Sequence, residues 1–588
     1  MSFYNGQNEQ KRQNEQNTQN EQNPQKRQNE QIAQNEQNEQ NEQNPQKRQN
    51  AQNEQNEQHS QACKYGQYKD IDTKFHPVNW SEPVIYDLGR RGIRNDIVPD
   101  VDDRIAKTVG DVMELLPEGV RRKEPAKLPE LSEPEIVRHY IRLSQNTLGY
   151  DCGNSIGLGT CTMKYSPKIN DQLSALPSIY ELHPLQDERM QQGCLQIYYE
   201  LRDMLCAIAG MDEFTFLPRG GGHGVFTNAC MIKAYHKARG ENFRDEIVTT
   251  AVSHPVNAGA PASLGLKVIT LYPDPETGDI GIEQMKAAIS RRTAGLMITA
   301  PYDTGVFDSR IKDYVDMIHE AGGLVSMDQA NFNGVIGRLR AGDIGADMMH
   351  FNLHKTFSTP HGSSGPGAGA VGVKKHIAPF LPTPVITFDG SNYHREDDRP
   401  QSIGKVGSFY GNFGVVLRTY AWIKSMGAMG LLEASAVSVL NNNYLIKRML
   451  GIRGVDIAWP NRKKLQEARF TVEQLFQDTG VTTDEVNQRL TDFGVVSYFS
   501  SHEPMIVPNP ITPEAPESVT VEDLDRFADI IGTISKEAYV NPEIVRTAPH
   551  RAPSHKIKTD QLYDFKTLAT TWRRYLELHP DHERQIGI

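Results

Sequence analysis

The fold is decided around Leu324-Val325-Ser326-Met327-Asp328-Gln329-Ala330-Asn331, an apolar run that ends in a carboxylate, with Asn352-Leu353-His354-Lys355-Thr356 downstream. A carboxylate that closes a buried strand needs a cationic partner, because burial of an unpaired charge is costly. A lysine within an apolar, structured run is also unusual, since most lysines are solvated. Together these residues predict an enzyme that holds pyridoxal 5′-phosphate (PLP), with Lys355 in a Schiff base and Asp328 paired with the ring nitrogen.

Each of these residues also has a plainer interpretation. Lys355 could be a surface charge, and Asp328 could be a helix N-cap or part of a structural ion pair. His354 directly precedes the lysine, and Ala330 is small enough to lie against a flat ring, so both join the candidate cofactor-binding residues. The spacing of the two motifs favours the PLP interpretation.

The surrounding sequence alternates short β-branched runs with amphipathic helices, one of them predicted over 310–320. The strand candidates are 246–252, 267–272, 294–299, 324–328 and 368–373. This alternation predicts an α/β fold with a mostly parallel, doubly wound sheet. Ligands of such sheets bind beyond the carboxyl ends of the strands. Thr299 and Asp328 each end a strand, so both are expected to face one crevice.

A glycine-rich segment, Pro218-Arg219-Gly220-Gly221-Gly222-His223-Gly224, precedes a helix predicted over 225–236. Backbone N–H groups of Gly221 and Gly222, together with the helix dipole, predict a phosphate site. His223 is expected to stack on the pyridine face, and Thr356 and Ser358 are further hydroxyl donors to the phosphate. A glycine run alone is also typical of a flexible loop, so that interpretation stays open.

A second imidazole and an amide follow another predicted strand, in Ser253-His254-Pro255-Val256-Asn257. Either His254 or Asn257 could contact the 3′-oxygen of the cofactor or a substrate carboxylate. The alternative is a plain turn with the asparagine in left-handed geometry. The glycines of 361–367 predict a mobile loop at the active site.

Composition excludes several function classes. A formal charge of −11 leaves no basic face for nucleic acid. The six cysteines contain no Cys-x-x-Cys pair and no zinc spacing, so they indicate cytosolic thiols and no metal site. No apolar run is expected to have the length of a membrane span. We therefore expect a cytoplasmic enzyme.

The sequence predicts four regions. Residues 1–63 repeat Gln, Asn, Glu, Lys and Arg, have no apolar face to bury and are expected to be disordered; they also lack the apolar segment of a signal peptide. An N-terminal arm is predicted over 64–150, with a helix over 133–145. The large cofactor-binding domain is predicted over 151–425, and a smaller C-terminal α+β domain with a tail over 426–588.

Several long motifs resemble the glycine cleavage system P-protein family, most closely the catalytic second subunit of its two-subunit form. The resemblance implies a fold-type I PLP enzyme that decarboxylates glycine and passes the aminomethyl group to the lipoyl arm of H-protein. It also implies that Lys355 holds PLP, that His223 stacks on the ring, and that the enzyme is a homodimer or a heterotetramer with a first subunit. The motifs are 157–170, 328–331, 342–347, 352–367 and 409–414.

Lys355, His223 and His254 are thus the candidate catalytic residues, and two other functions stay open. One is a stand-alone PLP-dependent decarboxylase, lyase or transferase that acts on another amino acid without a lipoyl partner. Arg219 would suit such an enzyme, because a guanidinium binds a substrate carboxylate through two hydrogen bonds. The other is a scaffold without catalysis, which the joint presence of Asp328, His223 and Lys355 disfavours.

Overall fold

The computed structural model describes residues 82–90, 92–93, 99–123, 126, 128–147, 156, 164–360, 367–497, 500–552, 556 and 564–580. The chain divides into two compact units, Met1–Gln67 and Tyr68–Ile588, and every described residue belongs to the second. The predicted tail over 1–63, the first half of the 157–170 motif and nearly all of the 361–367 loop lie outside the described residues. The other predicted domain boundaries stay predictions.

A seven-stranded sheet forms the centre of the second unit, in the spatial order β1-β7-β6-β5-β4-β2-β3. Its strands are β1 (Glu213–Thr215), β2 (Glu246–Thr250), β3 (Lys267–Leu271), β4 (Thr293–Thr299), β5 (Leu324–Asp328), β6 (Met348–Asn352) and β7 (Gly369–Val373). The five strands from β3 to β6 in this order are parallel, and β7 is antiparallel to both of its neighbours, so that β1 at the edge runs in the same direction as the five. The predicted mostly parallel sheet is confirmed.

Two further sheets are small. A hairpin pairs β8 (Val385–Phe388) with β9 (Tyr393–Glu396), and an antiparallel sheet joins β10 (Asp456–Ile457), β11 (Phe470–Thr471) and β12 (Pro510–Ile511). The second of these lies in the C-terminal region and carries short helices around it. The predicted α+β character of that region is confirmed.

Seventeen α-helices occur among the described residues, and several short ones connect the strands. They are α1 (Ile85–Leu88), α2 (Asp103–Val109), α3 (Glu133–Asn146), α4 (Lys168–Ser174), α5 (Pro177–Tyr180), α6 (Gln192–Ala209), α7 (Gly221–Ala238), α8 (Val256–Ser263), α9 (Ile282–Ala288), α10 (Ile311–Glu320), α11 (Ala341–Ile344), α12 (Phe413–Met449), α13 (Glu473–Thr479), α14 (Thr483–Thr491), α15 (Val521–Val540), α16 (Glu543–Arg546) and α17 (Trp572–Leu578). The helix predicted over 310–320 is α10, and its apolar stripe is buried as expected.

The strands separate two apolar clusters, because successive side chains of a strand point to opposite faces of the sheet. In β4, Leu296 and Ile298 pack in one cluster, whereas Met297 packs in the other. Strands buried on both faces have nearly continuous apolar sequences, as β4 does. A third cluster fills the C-terminal region between its small sheet and α13 to α16.

Helix α12 links the central core to the C-terminal core. Its first part places Val415 and Trp422 in the central cluster, and its last part places Leu445 and Met449 in the C-terminal cluster. The helix is broken at Gly427, whose φ of 61° and ψ of 179° lie outside helical geometry. Glycine suits this position because a positive φ is unfavourable for other residues.

The same helix corrects an expectation about composition. Among the described residues, Phe413–Met449 is the one helix long and apolar enough to cross a membrane, so the expected lack of such a run is wrong. A single helix of this kind is weak support for a membrane span, since core helices of globular proteins pass the same test. Its exposed face includes Met429 and Leu440.

The predicted arm helix is confirmed as α3. Its apolar side chains Tyr140 and Leu143 are exposed. The buried residue of α3 is His139, whose Nδ1 lies 3.0 Å from Glu82 Oε1. A buried hydrogen bond therefore connects this helix to the neighbouring segment.

Candidate active site

Asp328 ends β5 at the carboxyl edge of the sheet, directly beside Thr299 at the end of β4. Its carboxylate is 2% exposed and is held by three donors. The amide of Asn257 donates to Oδ2 at 2.8 Å, the Thr299 hydroxyl donates to Oδ2 at 3.3 Å, and the N–H of Ala330 donates to Oδ1 at 3.0 Å. Three of the predicted cofactor-binding residues thus surround the predicted acid.

His350, which the sequence analysis missed, is a further neighbour of this carboxylate. It lies in β6 with its Nε2 3.3 Å from Asp328 Oδ1, and it is fully buried. Burial opposes ionisation of Asp328, but His350, His254 and the hydrogen bonds hold the pKa of Asp328 below its ordinary value. The acid is therefore an anion at neutral pH, ready to pair with a cation.

His254 lies next to the same acid at the end of β2. Its backbone N–H donates to the Thr299 hydroxyl at 3.0 Å, and its ring meets His502 edge-on with centroids 4.1 Å apart. Burial lowers the pKa of His254, with Asp328 opposing that shift and Lys355 adding to it. A buried, neutral imidazole beside the acid and the lysine is suited to lie against an aromatic ring.

Lys355 follows β6 in a tight turn, where its N–H donates to the carbonyl of Asn352 at 3.0 Å. The side chain is buried, with the residue 6% exposed, which excludes the interpretation as a surface charge. Its charge acts on His254 and His350 on one side and on Asp303 on the other. The lysine therefore lies within electrostatic reach of both the imidazoles beside Asp328 and a second group of acids.

Helix α7 begins at Gly221, within the glycine segment and four residues earlier than the predicted start at 225, and no side chain caps it. A Cβ on Gly221 would lie 2.7 Å from both amide atoms of Asn352, whereas one on Gly220 would meet nothing within 4 Å. The first turn therefore packs against Asn352 at Gly221 and has open space beside Gly220. Free N–H groups at an open helix start suit a phosphate.

His223 lies in this first turn. Its Nδ1 accepts the N–H of Arg219 at 3.2 Å, and Arg219 itself donates to the carbonyl of Ser408 at 3.0 Å. Burial lowers the pKa of His223, opposed by a backbone hydrogen bond with Val406. The charges of Asp328 and Lys355 both act on His254, whereas the stacking of His223 on the ring stays a prediction.

The remaining predicted residues lie close to the lysine. His354 is buried and lies against Gly367, where a Cβ would be 3.4 Å from its Nδ1. The Thr356 hydroxyl accepts the N–H of Phe332 at 2.9 Å. Ser358 donates its hydroxyl to the carbonyl of Tyr165 at 2.6 Å, so the expected donation from Ser358 to a phosphate is wrong, because its one proton is used.

A group of buried acids lies on the other side of Lys355, and the sequence analysis missed all of them. We name Asp303, Glu467, Glu503 and Glu514 the carboxyl cluster. Each is at most 8% exposed. Arg469, which has no exposed surface, lies among them with Nη2 3.1 Å from Glu503 Oε2 and also donates to the carbonyl of Asp303.

Burial raises the pKa of these carboxyl groups, because a charged form loses its hydration there. The pKa of Asp303 and that of Glu503 rise to about 6, that of Glu514 rises to about 7, and that of Glu467 lies well above its ordinary value. Burial also lowers the pKa of His502 to about 3. Within the described part of the chain, no group of His, Cys, Asp and Glu has the geometry of a metal site.

The residues near Lys355 fit PLP. An anion ends the central strand, a buried lysine stands beside it, and an open glycine helix start lies where β1 leads into α7. The Oδ1 of Asn257 is buried without a hydrogen-bond partner among the described residues, which leaves an acceptor for the cofactor or substrate. These four features match the ring nitrogen, the aldehyde, the phosphate and a polar ring substituent.

Comparison with known proteins agrees with this geometry. A protein of Pyrococcus abyssi named probable glycine dehydrogenase (decarboxylating) subunit 2 is 43% identical over 509 residues, covering 86% of this chain and 98% of that protein. The chain belongs to this family. A protein of the same name from Caldanaerobacter subterraneus is 42% identical over 478 residues, covering 81% of this chain and 96% of that protein.

The family profile of the glycine dehydrogenase C-terminal domain matches residues 434–550, so the glycine dehydrogenase resemblance extends into the small domain. A crystal structure of glycine decarboxylase (P-protein) of the glycine cleavage system, in inhibitor-bound form, is 18% identical with a TM-score of 0.62 and covers 75% of this chain and 100% of its own. A sphingosine-1-phosphate lyase of Burkholderia pseudomallei gives a TM-score of 0.52 at 14% identity, covering 71% and 94%. The predicted fold-type I architecture is confirmed.

Proposed function

We propose that the chain is the catalytic subunit of a PLP-dependent glycine decarboxylase that passes the aminomethyl group to the lipoyl arm of an H-protein. One observation carries the proposal: Asp328 at the end of β5 and the buried Lys355 just after β6 both act on His254 and His350, in a chain 43% identical to a protein named as this subunit. The alternatives, a scaffold or an enzyme for another amino acid, have no such support.

Each residue of the site would hold a different part of the cofactor. PLP, when bound, supplies a ring that accepts the electron pair left when a carboxylate departs from the substrate. Lys355 would hold its aldehyde carbon covalently. Asp328, an anion fixed by hydrogen bonds, would keep the ring nitrogen protonated, and the N–H groups of Gly221 and Gly222 would bind the phosphate.

His254 and Asn257 orient these groups. Asn257 fixes the carboxylate of Asp328 through its amide N–H, which directs its free Oδ1 toward the crevice. The His254 ring, kept neutral by burial, would lie on the pyridine face without competing for the ring proton. Exclusion of water around Lys355 strengthens the electrostatic interaction with Asp328.

We extend the proposal to partners and location: a first subunit in a heterotetramer, or a second copy in a homodimer, and an H-protein, all in the cytoplasm. Exposed apolar side chains support contacts with other proteins. Val137, Tyr140 and Ile141 lie exposed on α3, and Met429 and Leu440 lie exposed on α12. The name of the relatives, subunit 2, also supports a first subunit.

The test is exchange of labelled bicarbonate into glycine by PLP-loaded protein, with and without lipoylated H-protein and a first subunit. We expect exchange that depends on H-protein and is absent from Lys355→Ala. Loading is checked by the absorbance of the bound cofactor, so that an empty enzyme is not taken for an inactive one. Fully loaded protein that gives no exchange with any combination of partners would contradict the glycine reaction.

A further inference from the structure

The short segment Ser501-His502-Glu503 of the C-terminal region contacts a candidate site residue, and the proposed mechanism gives His502 no role. The His502 ring meets the His254 ring edge-on, with centroids 4.1 Å apart and an angle of 62° between the planes. His254 follows β2 of the central sheet, whereas His502 lies between β11 and β12 of the small sheet. The ring contact therefore connects the C-terminal region to the candidate active site.

Buried polar contacts fix the segment that carries His502. Glu503 is 1% exposed, and its Oε2 lies 3.1 Å from Nη2 of Arg469, a residue with no exposed surface. The Ser501 hydroxyl donates to the same oxygen at 2.9 Å and accepts the N–H of Glu503 at 3.0 Å. Because burial of an ion pair adds little net stability, we ascribe to this ion pair the placement of the adjacent His502.

The ring of His254 is held at one edge by its own backbone. Its Nδ1 accepts the N–H of Val256 at 3.1 Å. In a neutral imidazole the nitrogen that accepts a hydrogen bond carries no proton, so the proton of His254 is on Nε2. A hydrogen bond to one atom sets the tautomer but still lets the ring tilt about that atom. The plane of the ring needs a second contact, and His502 supplies one.

His502 acts on this ring by packing, because it carries no charge at neutral pH. Burial lowers the pKa of His502 to about 3; His254, Arg469 and Lys355 add to that shift, and Asp328 opposes it. An edge-on contact between two aromatic rings is favourable without any charge. Another flat ring of similar size should therefore replace His502, whereas a side chain without a ring should not.

We propose that His502 is a positioning residue of the cofactor site: its ring holds the His254 imidazole in the plane in which that imidazole lies against the pyridine ring of PLP. This assignment rests on the proposed function, which puts PLP beside Asp328. His502 acts through His254 and takes no part in making or breaking bonds. The C-terminal region thereby helps to form a cofactor site whose other proposed residues belong to the central sheet and the segments that follow its strands.

The first test uses the cofactor-free, full-length protein. Diethyl pyrocarbonate modifies neutral imidazoles according to their accessibility, and mass spectrometry of the peptides gives the initial rate at His254. The variants are His502→Ala, which removes the ring, His502→Leu, which fills the space without a ring, and His502→Phe, which keeps a flat ring. We expect faster modification of His254 in the first two variants and the wild-type rate in the third. The matched control is His579→Ala, which removes an exposed ring 4.5 Å from that of Tyr575.

The second test follows the bound cofactor in the PLP-loaded, full-length protein. Visible circular dichroism reports how firmly the cofactor is oriented, and a fluorescence titration gives its affinity. We expect His502→Ala and His502→Leu to lose most of the visible signal and about 5-fold in PLP affinity, the magnitude of one aromatic contact. His502→Phe should keep both. Far-ultraviolet circular dichroism checks that each variant is folded, and His502→Leu decides the matter if His502→Ala does not fold.

Two results would overturn the proposal. One is a wild-type rate of modification at His254 in both His502→Ala and His502→Leu, which would show that His502 does not hold the ring. The other is equal damage in His502→Phe and His502→Ala, which would show that packing by a flat ring is not what His502 supplies.

Failure of the proposed function gives a different result. A wild type that binds no PLP contradicts that function, and the modification rates then still decide whether His502 holds the ring of His254. A wild type that binds PLP but gives no glycine–bicarbonate exchange with any partner contradicts the glycine reaction alone, and both tests of His502 keep their meaning.

Discussion

Asp328 and the neighbouring glutamates Glu467 and Glu514 are almost equally buried, yet their pKa values shift in opposite directions. Asp328 is 2% exposed, and the two glutamates are 2% and 3% exposed. The pKa of Asp328 is lowered, whereas the pKa of each glutamate is raised. Three donors and two imidazoles surround Asp328, whereas each glutamate has another carboxyl group beside it as well as the donors Asn331 and Gln466. At nearly equal burial, the neighbouring charges and donors decide whether the pKa of a carboxyl group is raised or lowered.

The charge of Lys355 acts on groups of both regions, so removing it should have the largest effect. We expect Lys355→Ala to abolish covalent binding of PLP, because Lys355 is the buried lysine whose charge acts on His254 and His350, the imidazoles that act on Asp328. The measurement is the cofactor retained after borohydride reduction and denaturation. Lys312→Ala, on the exposed face of α10, is the matched control. Trapped cofactor at the wild-type level in Lys355→Ala, with an unchanged circular dichroism spectrum, would show that the lysine is wrongly assigned.

The substitution Asp328→Asn removes the negative charge that distinguishes Asp328 from the two glutamates. The amide keeps the shape but loses the charge that would hold the ring proton, so we expect glycine–bicarbonate exchange to fall by about 100-fold. Asp347→Asn is a suitable control, since Asp347 is another buried acid but its oxygens lie 2.8 Å and 2.9 Å from His319 and His376. Full exchange by the Asp328→Asn enzyme would show that the negative charge of Asp328 is not needed for the reaction.

The substitutions Gly221→Ala and Gly222→Ala test whether the first turn of α7 binds the phosphate of PLP. A Cβ at 221 would lie 2.7 Å from the amide of Asn352 and must displace it, whereas one at 222 would lie 3.5 Å from Val256 Cγ2, an ordinary contact. We expect PLP affinity to fall about 10-fold in the first variant and little in the second, since the loss of one charge-assisted hydrogen bond has about this magnitude. The measurement is a fluorescence titration with PLP. Equal affinities of the two variants would contradict phosphate binding at the first turn of α7.

The smallest expected effect concerns stability. A carboxyl group whose folded pKa is raised to about 7 binds its proton more tightly in the folded state than in the unfolded state. The stability it contributes is complete below pH 4.5 and is lost as pH rises to about 7. We therefore expect the unfolding temperature of the cofactor-free protein to fall between pH 5 and pH 7, with a shallower fall in Glu514→Gln. Parallel curves would contradict the raised pKa.

The cofactor side could be predicted from the sequence, because each of its residues ends a recognisable strand. Thr299, Asp328 and Asn257 follow apolar runs, and parallel strands bring their carboxyl ends to one edge. His350 was missed because it lies inside β6, where Met348-Met349-His350-Phe351 has no strand signal apart from its apolar residues. The role of His223 could not be settled, because a first-turn residue can point to either end of the cofactor.

The carboxyl cluster could not be predicted, because three of its four acids come from the C-terminal region. Glu467, Glu503 and Glu514 join Asp303 only through the packing of the small domain, which no local pattern encodes. One signal was present: in Glu467-Ala468-Arg469-Phe470, charged residues alternate with apolar ones in a strand-like run that proves to be buried. Two opposite charges inside such a run indicate a buried polar site, because burial of a charge is costly unless it has a partner.

Helix α12, with its break at Gly427, is the covalent connection between the module that carries Asp328 and Lys355 and the module that carries the paired glutamates. A chain cut within that connection would lose the acids while its sheet kept every residue proposed to bind the coenzyme. Substitutions in the second module would accordingly change the acids near Lys355 while the sheet residues proposed to bind the coenzyme stay the same.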